Sequence, residues 1–256
     1  MNETLALIEA RSSTRTFADV PIAASEREAV LHAAMRAPTG GNMMLYSILE
    51  IEDQALKDAL AVTCDDQPFI AKAPWVLLFV ADFQKWVDLW AASDAASMHA
   101  PDRGLAPGPG DLMLACSDAL IAAQTAVIAA ESLGIGSCYI GDIMENAEEV
   151  MALLDLPPHT FPIAMLVFGR PAASRPPQPR YERNVVHRDR YRRLSPDELA
   201  EAAADLGAMF SPHGLTEGVA DYPQAVYRRK YASAFMAEMN RSVGVWLERW
   251  QAEESR

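Results

Sequence analysis

The sequence has few cysteines and few histidines, and neither residue type is clustered. Its three cysteines, Cys64, Cys116 and Cys138, form no CxxC pair, which argues against a zinc knuckle, a thioredoxin-type site and a disulfide framework. The five histidines are scattered and form no HExxH motif. We therefore predict that the protein has no metal site and works in a reducing compartment, the cytoplasm.

Basic residues are also in deficit. The 22 lysines and arginines face 35 aspartates and glutamates, which gives a net charge of −13 at pH 7. Because this charge repels a phosphate backbone, we expect no nucleic-acid partner. Local positive pockets would suit a small phosphorylated ligand better than a polymer. The basic residues cluster at Arg11 and Arg15, between Arg175 and Arg193, and from Arg228 to Lys230.

Neither a membrane segment nor a nucleotide-binding fingerprint is evident. The first residues lack the basic-then-apolar pattern of a signal peptide. The longest apolar stretch, Leu112 to Leu133, is interrupted by Asp118, Gln124 and Glu131, so we predict a buried helix and no membrane partner. No P-loop or GxGxxG motif is complete, which argues against a dinucleotide-binding fold of the Rossmann type.

The chain does have enough apolar residues for a core, because 50% are hydrophobic and 22% are charged. Periodicity predicts a first helix after Asn2, and a capping box at Ser25 and Glu28 begins a second. The Ala-, Pro- and Gly-rich stretch from Ser93 to Gly110 is typical of a mobile cover. Strands are predicted at Leu45–Ile51, Trp75–Ala81 and Phe161–Phe168, and further helices at Asp53–Val62, Phe83–Trp90, Asp111–Gly134 and Asn146–Leu154.

The composition changes after Gly169. Four prolines between positions 171 and 179 predict an extended segment, in which a helix is hard to build. Two more helices follow, at Pro196–Met209 and Val226–Trp250. We divide the chain into a first domain, residues 1–194, and a helical C-terminal extension, residues 195–256, that packs on a second copy at a dimer interface. One reason is that the proline-rich segment cannot fold straight back as a helix. The other is an apolar stripe in the last helix that needs a surface to cover it, formed by Tyr227, Tyr231, Phe235, Met239, Val243 and Trp246. The alternative, that the extension folds back on its own chain, stays open.

Three irregular segments carry residues suited to ligand binding. The first, Arg11 to Arg15, offers two guanidinium groups and three hydroxyls, which together suit a phosphate monoester. The second, Pro38 to Met44, combines paired glycines with Asn42, which can donate to and accept from a heteroaromatic ring edge. The third, Gly136 to Gly141, would contribute backbone N–H groups. Each segment taken alone also fits an ordinary structure: a solvated charge patch, a helix-to-strand turn and a tight turn, respectively.

In this order and spacing, the three segments resemble those of the nitroreductase family of flavin enzymes, and a fourth matching segment follows them. Four matches in the right order are hard to obtain by chance, although no one of them is diagnostic. The resemblance covers roughly Glu3 to Tyr191. It rests on Arg11-Ser12-Ser13-x-Arg15-x-Phe17, Ala37-Pro38-Thr39-Gly40-Gly41-Asn42, Leu133-Gly134-Ile135-Gly136-Ser137-Cys138-Tyr139-Ile140-Gly141, and Phe161-Pro162-x-Ala164-x-Leu166-x-Phe168-Gly169-x-Pro171.

The resemblance implies an α+β fold with a mixed, mostly antiparallel sheet flanked by helices and a helical C-terminal extension. The alternation of helices and strands alone would suggest a parallel α/β sheet. The resemblance also implies FMN bound at the interface of a homodimer, so that both chains complete each site. No side chain is predicted to be catalytic, because the flavin carries the chemistry.

The residues implied to bind FMN fall into three groups. Arg11, Arg15 and Arg180 would hold the phosphate, and Ser12 and Ser13 would add hydrogen bonds. The ring edge would meet Asn42. The backbone N–H groups of Ile140 and Gly141 would face the flavin N5 and O4 region and stabilise the negative charge of the reduced ring. The full predicted set is Arg11, Ser12, Ser13, Arg15, Pro38, Thr39, Gly40, Asn42, Met44, Tyr139, Ile140, Gly141 and Arg180.

Three features depart from the family pattern. Gln178 stands where many members have a lysine, so charge compensation of the phosphate is weaker unless Arg175 or Arg183 substitutes. Met44 stands where many have a glutamine, and its side chain cannot make the usual polar contact. The stretch Phe83–Gly110, which would cover the substrate, matches no known pattern, so the acceptor stays open.

The resemblance implies an FMN-dependent oxidoreductase that takes electrons from NADH or NADPH and passes them to a small-molecule acceptor, a nitroaromatic or a quinone. Two alternatives stay open at this point. One is a flavin-dependent reductase of a specific metabolite, acting on an activated double bond or by reductive dehalogenation. The other is a flavin-binding protein without turnover.

Overall fold

The computed structural model describes residues 1–99, 104–173 and 176–252. Up to residue 169, the elements that periodicity predicted are found within two residues of the expected bounds. The strands are β1 (Tyr46–Glu50), β2 (Trp75–Asp82), β3 (Gly136–Ile140) and β4 (Thr160–Gly169). The helices are α1 (Glu3–Ala10), α2 (Ala24–Met35), α3 (Gln54–Thr63), α4 (Pro68–Ala71), α5 (Gln84–Ala92), α6 (Ala95–His99), α7 (Pro109–Ser132), α8 (Ala147–Leu154), α9 (Pro196–Phe210), α10 (Tyr222–Val226) and α11 (Ala234–Gln251).

The four strands form one antiparallel sheet in the order β1-β2-β4-β3. The predicted fold class is confirmed, and the parallel α/β sheet that simple alternation would suggest is absent from the described part of the chain. Among the described residues, parallel pairing is confined to an isolated bridge between Ser13 and Ser137. That bridge ties the segment after α1 to the edge strand β3.

The core lies on both faces of the sheet, and β2 is buried along its whole length. Its side chains alternate between the faces, as the pleat requires. Val76, Leu78 and Val80 join one apolar cluster, to which α3, α8 and α11 contribute. Leu77 and Phe79 join the other, which α2 and α7 cover.

α7 is long and apolar enough to cross a membrane by length and composition, with 44% of its most apolar window buried inside the protein. The buried positions recur at helical spacing and face the sheet. α7 is therefore a core helix in this fold, as predicted. Its buried residues are Leu112, Ala115, Asp118, Ala119, Ala122, Ala123, Ala126, Val127 and Ala130.

α2 begins differently from the prediction. Its N-cap is Ala23, and the carboxylate of Glu26 accepts the Ala23 backbone N–H at 2.9 Å. The predicted capping box at Ser25 and Glu28 is wrong, because the helix begins before Ser25 and its third residue is Glu26. The N-cap of α1 is as predicted, since Asn2 accepts the N–H of Leu5 at 2.9 Å.

The chain divides into two compact units, Met1–Pro176 with Met239–Arg256, and Pro177–Glu238. The division differs from the boundary we placed between residues 194 and 195, because the chain returns to the first unit within α11. Trp246 and Trp250 are fully buried there, against the chain's own core. This part of the apolar stripe needs no second copy to cover it. The predicted helix Val226–Trp250 is also interrupted, by a π-helical turn at Tyr227–Tyr231.

Candidate functional site

The segment after α1 borders a cavity of about 370 Å³. Arg11 ends α1 by donating its backbone N–H to the carbonyl of Leu7 at 3.0 Å. Its side chain is half-buried, whereas Ser13 and Arg15 are exposed. We call residues 11–16 the cradle. The cavity is lined by Ala10, Ser12, Ser13, Thr14, Arg15, Thr16, Glu131, Pro171 and Ala173.

Backbone hydrogen bonds fix the cradle to β3 and to the segment that follows β4. Thr14 donates to the carbonyl of Ser137 at 2.8 Å, and Thr16 accepts from Ala172 at 3.0 Å. Gly136 allows this approach, because a Cβ at that position would meet Thr14 Oγ1 at 2.3 Å. The cradle is thus an irregular segment held on a rigid scaffold, the arrangement expected of a binding site.

The electrostatics of the cradle are mixed. Burial raises the pKa of Glu131, and the Arg11 guanidinium opposes that shift. Burial also raises the pKa of the Cys138 thiol, against the lowering effects of Arg15 and Arg11. Arg15 lies over the ring of Phe69, 5.8 Å from its centroid, at a distance typical of a cation–π contact. Arg15 and the carboxyl group of Glu131 therefore both line the cavity, and Arg11 acts on that carboxyl group.

The loop between α2 and β1 adopts an unusual backbone. A 3-10 turn at Gly40–Asn42 places Gly41 and Asn42 at φ of 58° and 57°, and Met44 has φ of 49°. Left-handed backbone is costly for residues other than glycine, on the order of 1–3 kcal/mol each. Such strain persists only where surrounding contacts enforce it. We call residues 39–44 the strained loop.

Asp118, on the buried face of α7, supplies those contacts. Its carboxylate accepts the Thr39 hydroxyl, the Gly40 N–H at 3.0 Å and the Leu45 N–H at 3.2 Å. The Thr39 oxygen in turn accepts the N–H of Met44 at 2.8 Å. A carboxylate only accepts hydrogen bonds, so it suits a position where hydroxyl and amide donors converge. One buried side chain therefore holds the loop at Thr39, Gly40 and Leu45.

A second tether comes from α5. The Trp86 indole donates to the carbonyl of Met43 at 2.9 Å. Met43 also borders a second cavity of about 370 Å³, formed by the start of α7 and the segment that precedes it. Its walls are mostly apolar. They comprise Met43, Leu45, Phe83, Trp90, Ala95, His99, Gly104, Leu105, Ala106, Pro107, Asp111 and Leu114.

The end of β3 lies beside open space. A Cβ built at Gly141 would meet nothing within 4 Å, so a ligand could approach the backbone there. Ile140 is buried, whereas Tyr139 is 38% exposed. The Tyr139 hydroxyl donates to Gln124 of α7 at 3.3 Å, and burial raises its pKa to about 12. Tyr139 is therefore neutral near pH 7.

The structure brings some predicted site residues together and separates others. The cradle and β3 adjoin each other through the bridge between Ser13 and Ser137. The strained loop is held by Asp118, whereas Glu131 lines the cavity beside the cradle. Asp118 and Glu131 are thirteen residues apart on one helix, or about 20 Å at 1.5 Å per residue. In one chain, therefore, the loop and the cradle lie along different parts of α7.

The third cation predicted to hold the phosphate is Arg180. Arg180 is exposed and belongs to the second unit, so its role stays a prediction. Arg183, considered as a substitute for the lysine that is missing at Gln178, pairs with Asp205 and Glu201. Arg175 and part of the predicted cover, residues 100–103, lie outside the described residues.

A family model for the nitroreductase family matches residues 8–170. The chain belongs to the nitroreductase family. It is 32% identical over 200 residues to an FMN reductase [NAD(P)H] of Bacillus subtilis, which covers 78% of each chain. It is also 33% identical over 215 residues to an oxygen-insensitive NADPH nitroreductase of Salmonella typhimurium, covering 84% of this chain and 85% of the other.

Solved structures of similar proteins share the fold over nearly the whole chain. An NADPH:FMN oxidoreductase of Vibrio harveyi, complexed with NAD+, superimposes with a TM-score of 0.76 at 26% identity, covering 96% of this chain and 98% of the other. A nitroreductase A of Vibrio parahaemolyticus gives a TM-score of 0.77 at 26% identity with the same coverage. The family assignment thus holds at the level of sequence and of structure.

The sequence alone does not predict three residues of this candidate site. In the sequence Asp118 only interrupts an apolar helix, although a lone acid on the buried face of such a helix needs hydrogen-bond donors. Glu131 interrupts the same helix in the same way. Trp86 carried no signal, because an indole in an amphipathic helix is ordinarily core.

Proposed function

We propose that this nitroreductase-family protein is an FMN-dependent NAD(P)H oxidoreductase that reduces nitroaromatic or quinone-like acceptors. The observation that carries the proposal is the cradle, where Ser12, Ser13 and Arg15 line one cavity beside Arg11. The names of the relatives, which refer to FMN, NADPH and nitroreductase activity, support the same activity.

The residues present fit FMN. Guanidinium and hydroxyl groups around one cavity suit a phosphate monoester, and the open space beside Gly141 leaves room for a flat ring against the backbone. Arg11 and Arg15 would hold the phosphate with Ser12 and Ser13. The proposal includes the other predicted contacts with FMN. Arg180 would contact the phosphate. The flavin ring would be contacted from one segment by Pro38, Thr39, Gly40, Asn42 and Met44, and from the end of β3 by Tyr139, Ile140 and Gly141.

The protein's own part in the reaction is binding and electrostatics. When bound, FMN supplies the redox chemistry, accepting hydride from NADH or NADPH in one half-reaction and releasing electrons to the acceptor in the other. The N–H groups of Ile140 and Gly141 would stabilise negative charge on the ring. The apolar cavity beside Met43, with Phe83 and Trp90 in its wall, would hold a flat aromatic acceptor and exclude water.

We further propose a homodimer in which the strained loop of one chain completes the site around the partner's cradle. The separation of about 20 Å along α7 supports this arrangement. So do apolar side chains left exposed on α1 and α7, which a second copy would cover. They are Leu5, Ile8, Met113, Leu114, Leu120 and Ile121. Packing of the C-terminal extension at the same interface, for residues 195–238, remains part of the proposal.

We place the enzyme in the cytoplasm, without a nucleic-acid or membrane partner. The three cysteines are free thiols, which agrees with a reducing compartment. The net charge of −13 does not favour a phosphate polymer. A buried, sheet-facing side on α7 supports a core helix in place of a membrane span.

The absorption spectrum of the purified protein tests the cofactor, and anaerobic addition of NADH or NADPH tests the enzyme. We expect a yellow protein whose noncovalent flavin chromatographs as FMN and bleaches rapidly with at least one of the two nicotinamides. A colourless protein that cannot be reconstituted with FMN would refute the proposal. Bound flavin that neither nicotinamide reduces would favour a carrier without turnover.

Mixed dimers test the shared site. Arg15→Ala damages the cradle and Asn42→Ala damages the loop, so each variant alone should be nearly inactive. If sites are shared, half of the randomly mixed dimers contain both variants and each of these has one intact site, which restores about one quarter of wild-type activity. A site built within one chain predicts no recovery on mixing.

A further inference from the structure

We propose that Asp118 is a positioning residue of the flavin site, which presents Asn42 to the cofactor by holding the strained loop. The inference rests on the proposed function, since it assigns a purpose to a loop that FMN would contact. It adds a residue from outside the matching segments, one that lies on the long core helix.

Asp118 is a buried carboxylate that accepts hydrogen bonds from both ends of the strained loop. Asp118 is 5% exposed, and the described donors to its carboxylate are neutral: one hydroxyl and two backbone N–H groups, on Thr39, Gly40 and Leu45. Burying a carboxylate is costly unless hydrogen bonds compensate it. If position 118 served only to pack α7 against the core, alanine would be sufficient, as it is at the neighbouring buried positions of the helix. The acid at position 118 is therefore matched to the loop.

The carboxylate of Asp118 supports a backbone of unusual conformation. Asn42 and Met44 both have positive φ, and Gly41 lies between the tethered residues. The Gly40 and Leu45 bonds to Asp118 hold the two ends of this run, while Met44 is held through Thr39. Without these contacts the loop would relax to ordinary turn geometry and Asn42 would change direction.

The strained loop is also tied to α5. The Trp86 indole holds the Met43 carbonyl from the other side, and Met43 borders the apolar cavity proposed for the acceptor. The strained loop thus lies between a core helix and the helix that leads into the cover. Holding the loop on α7 therefore positions two residues at once: Asn42, which would meet the flavin ring edge, and Met43 in the wall of the cavity proposed for the acceptor.

The test compares Asp118→Asn with Val127→Ala, a core variant on the same helix away from the loop. Asparagine replaces one acceptor by an amide donor that faces other donors. We expect D118N to weaken FMN binding by on the order of tenfold and to alter the visible spectrum of the flavin that remains bound. V127A should lower the melting temperature and leave the flavin affinity and spectrum as in the wild type. If V127A changes the flavin affinity and the flavin spectrum as much as D118N does, the effect of D118N is general destabilisation and the inference fails.

Mixed dimers separate positioning from folding. D118N should behave as a loop variant: mixed with Arg15→Ala it should recover activity, and mixed with Asn42→Ala it should not. Recovery with Asn42→Ala would overturn the inference, because it would show that the loop of D118N still works. If D118N does not fold, Thr39→Val removes the hydroxyl relay alone, and it should show the same spectral change and the same mixing pattern. If T39V binds flavin with the same affinity as the wild type, that result counts against the inference.

These outcomes are distinguishable from failure of the proposed function. If wild-type protein binds no FMN, the function itself is wrong and the loop has another purpose. If wild-type protein binds and reduces FMN while D118N and T39V match it in affinity, spectrum and mixing, only the role of Asp118 is wrong.

Discussion

Gly136 and Gly169 are direct partners in the β3–β4 ladder, and neither has room for a side chain. A Cβ at Gly136 would meet Thr14 Oγ1 at 2.3 Å, and a Cβ at Gly169 would meet the ring of Phe17 at 2.4 Å. Both obstructing residues belong to the chain that follows α1. This glycine pair therefore lets the cradle lie directly on the sheet.

Replacing Gly136 with alanine should release the cradle. The new methyl group would displace Thr14 and disturb its hydrogen bond to Ser137, at an overpacking cost of about 1–3 kcal/mol. We expect lower FMN affinity together with a lower melting temperature. Gly244→Ala is the matched control, because a Cβ there meets nothing within 4 Å and alanine favours the helix. Unchanged FMN affinity in G136A would show that the cradle tolerates displacement or does not hold the phosphate.

The arginines should differ in their effect on FMN binding. Arg11→Ala and Arg180→Ala should weaken FMN binding by on the order of 1.5–3 kcal/mol each, the usual size of a lost hydrogen bond to a charged group. Arg190→Ala, an exposed position with no motif assignment, should have little effect. Isothermal titration of the flavin-free protein measures all three. Equal affinities would mean that the phosphate lies elsewhere.

How far the sequence predicts this site can be read from individual residues. Arg11, Ser12, Ser13 and Arg15 lie close together in sequence, so their clustering was visible before the fold. The role of Asp118 was not, because its partners lie 73 to 79 positions earlier in the chain.

The same limit applies to the fold. Strand and helix positions followed from local periodicity, whereas strand direction required the family resemblance. The return of α11 to the first unit could not be read from its apolar stripe. Such a stripe predicts that Trp246 is covered, but does not say whether the covering surface belongs to the same chain or to a second copy.

Alkaline pH should destabilise the protein through Cys64. Burial raises the pKa of this thiol from 9 to about 12, so between those values the unfolded chain loses a proton that the folded protein keeps. The contribution of the Cys64 thiol to the free energy of unfolding is then fully present below pH 9. Above pH 9 this contribution falls by up to about 1.4 kcal/mol per pH unit. Urea unfolding at several pH values should show a flatter decline for Cys64→Ala than for the wild type. Equal slopes would mean that Cys64 ionises as freely in the folded state.

The final prediction concerns the exposed apolar stripe of α7. Met113, Leu120 and Ile121 are 65%, 40% and 41% exposed, and their spacing places them on one face of the helix. In a dimer with shared sites this face is covered, and a charge there would be desolvated without a partner. Leu120→Glu should therefore yield monomers in sedimentation at micromolar concentration and lose FMN at the same time.

Val62→Glu is the control, because Val62 is 64% exposed on α3, outside the proposed interface. It should remain dimeric and retain FMN. A shared site predicts that L120E loses the dimer and FMN together. If each chain instead held a complete site, the separated L120E chains would keep their flavin. An FMN-saturated, active monomer of either L120E or the wild-type chain would rule out the shared site.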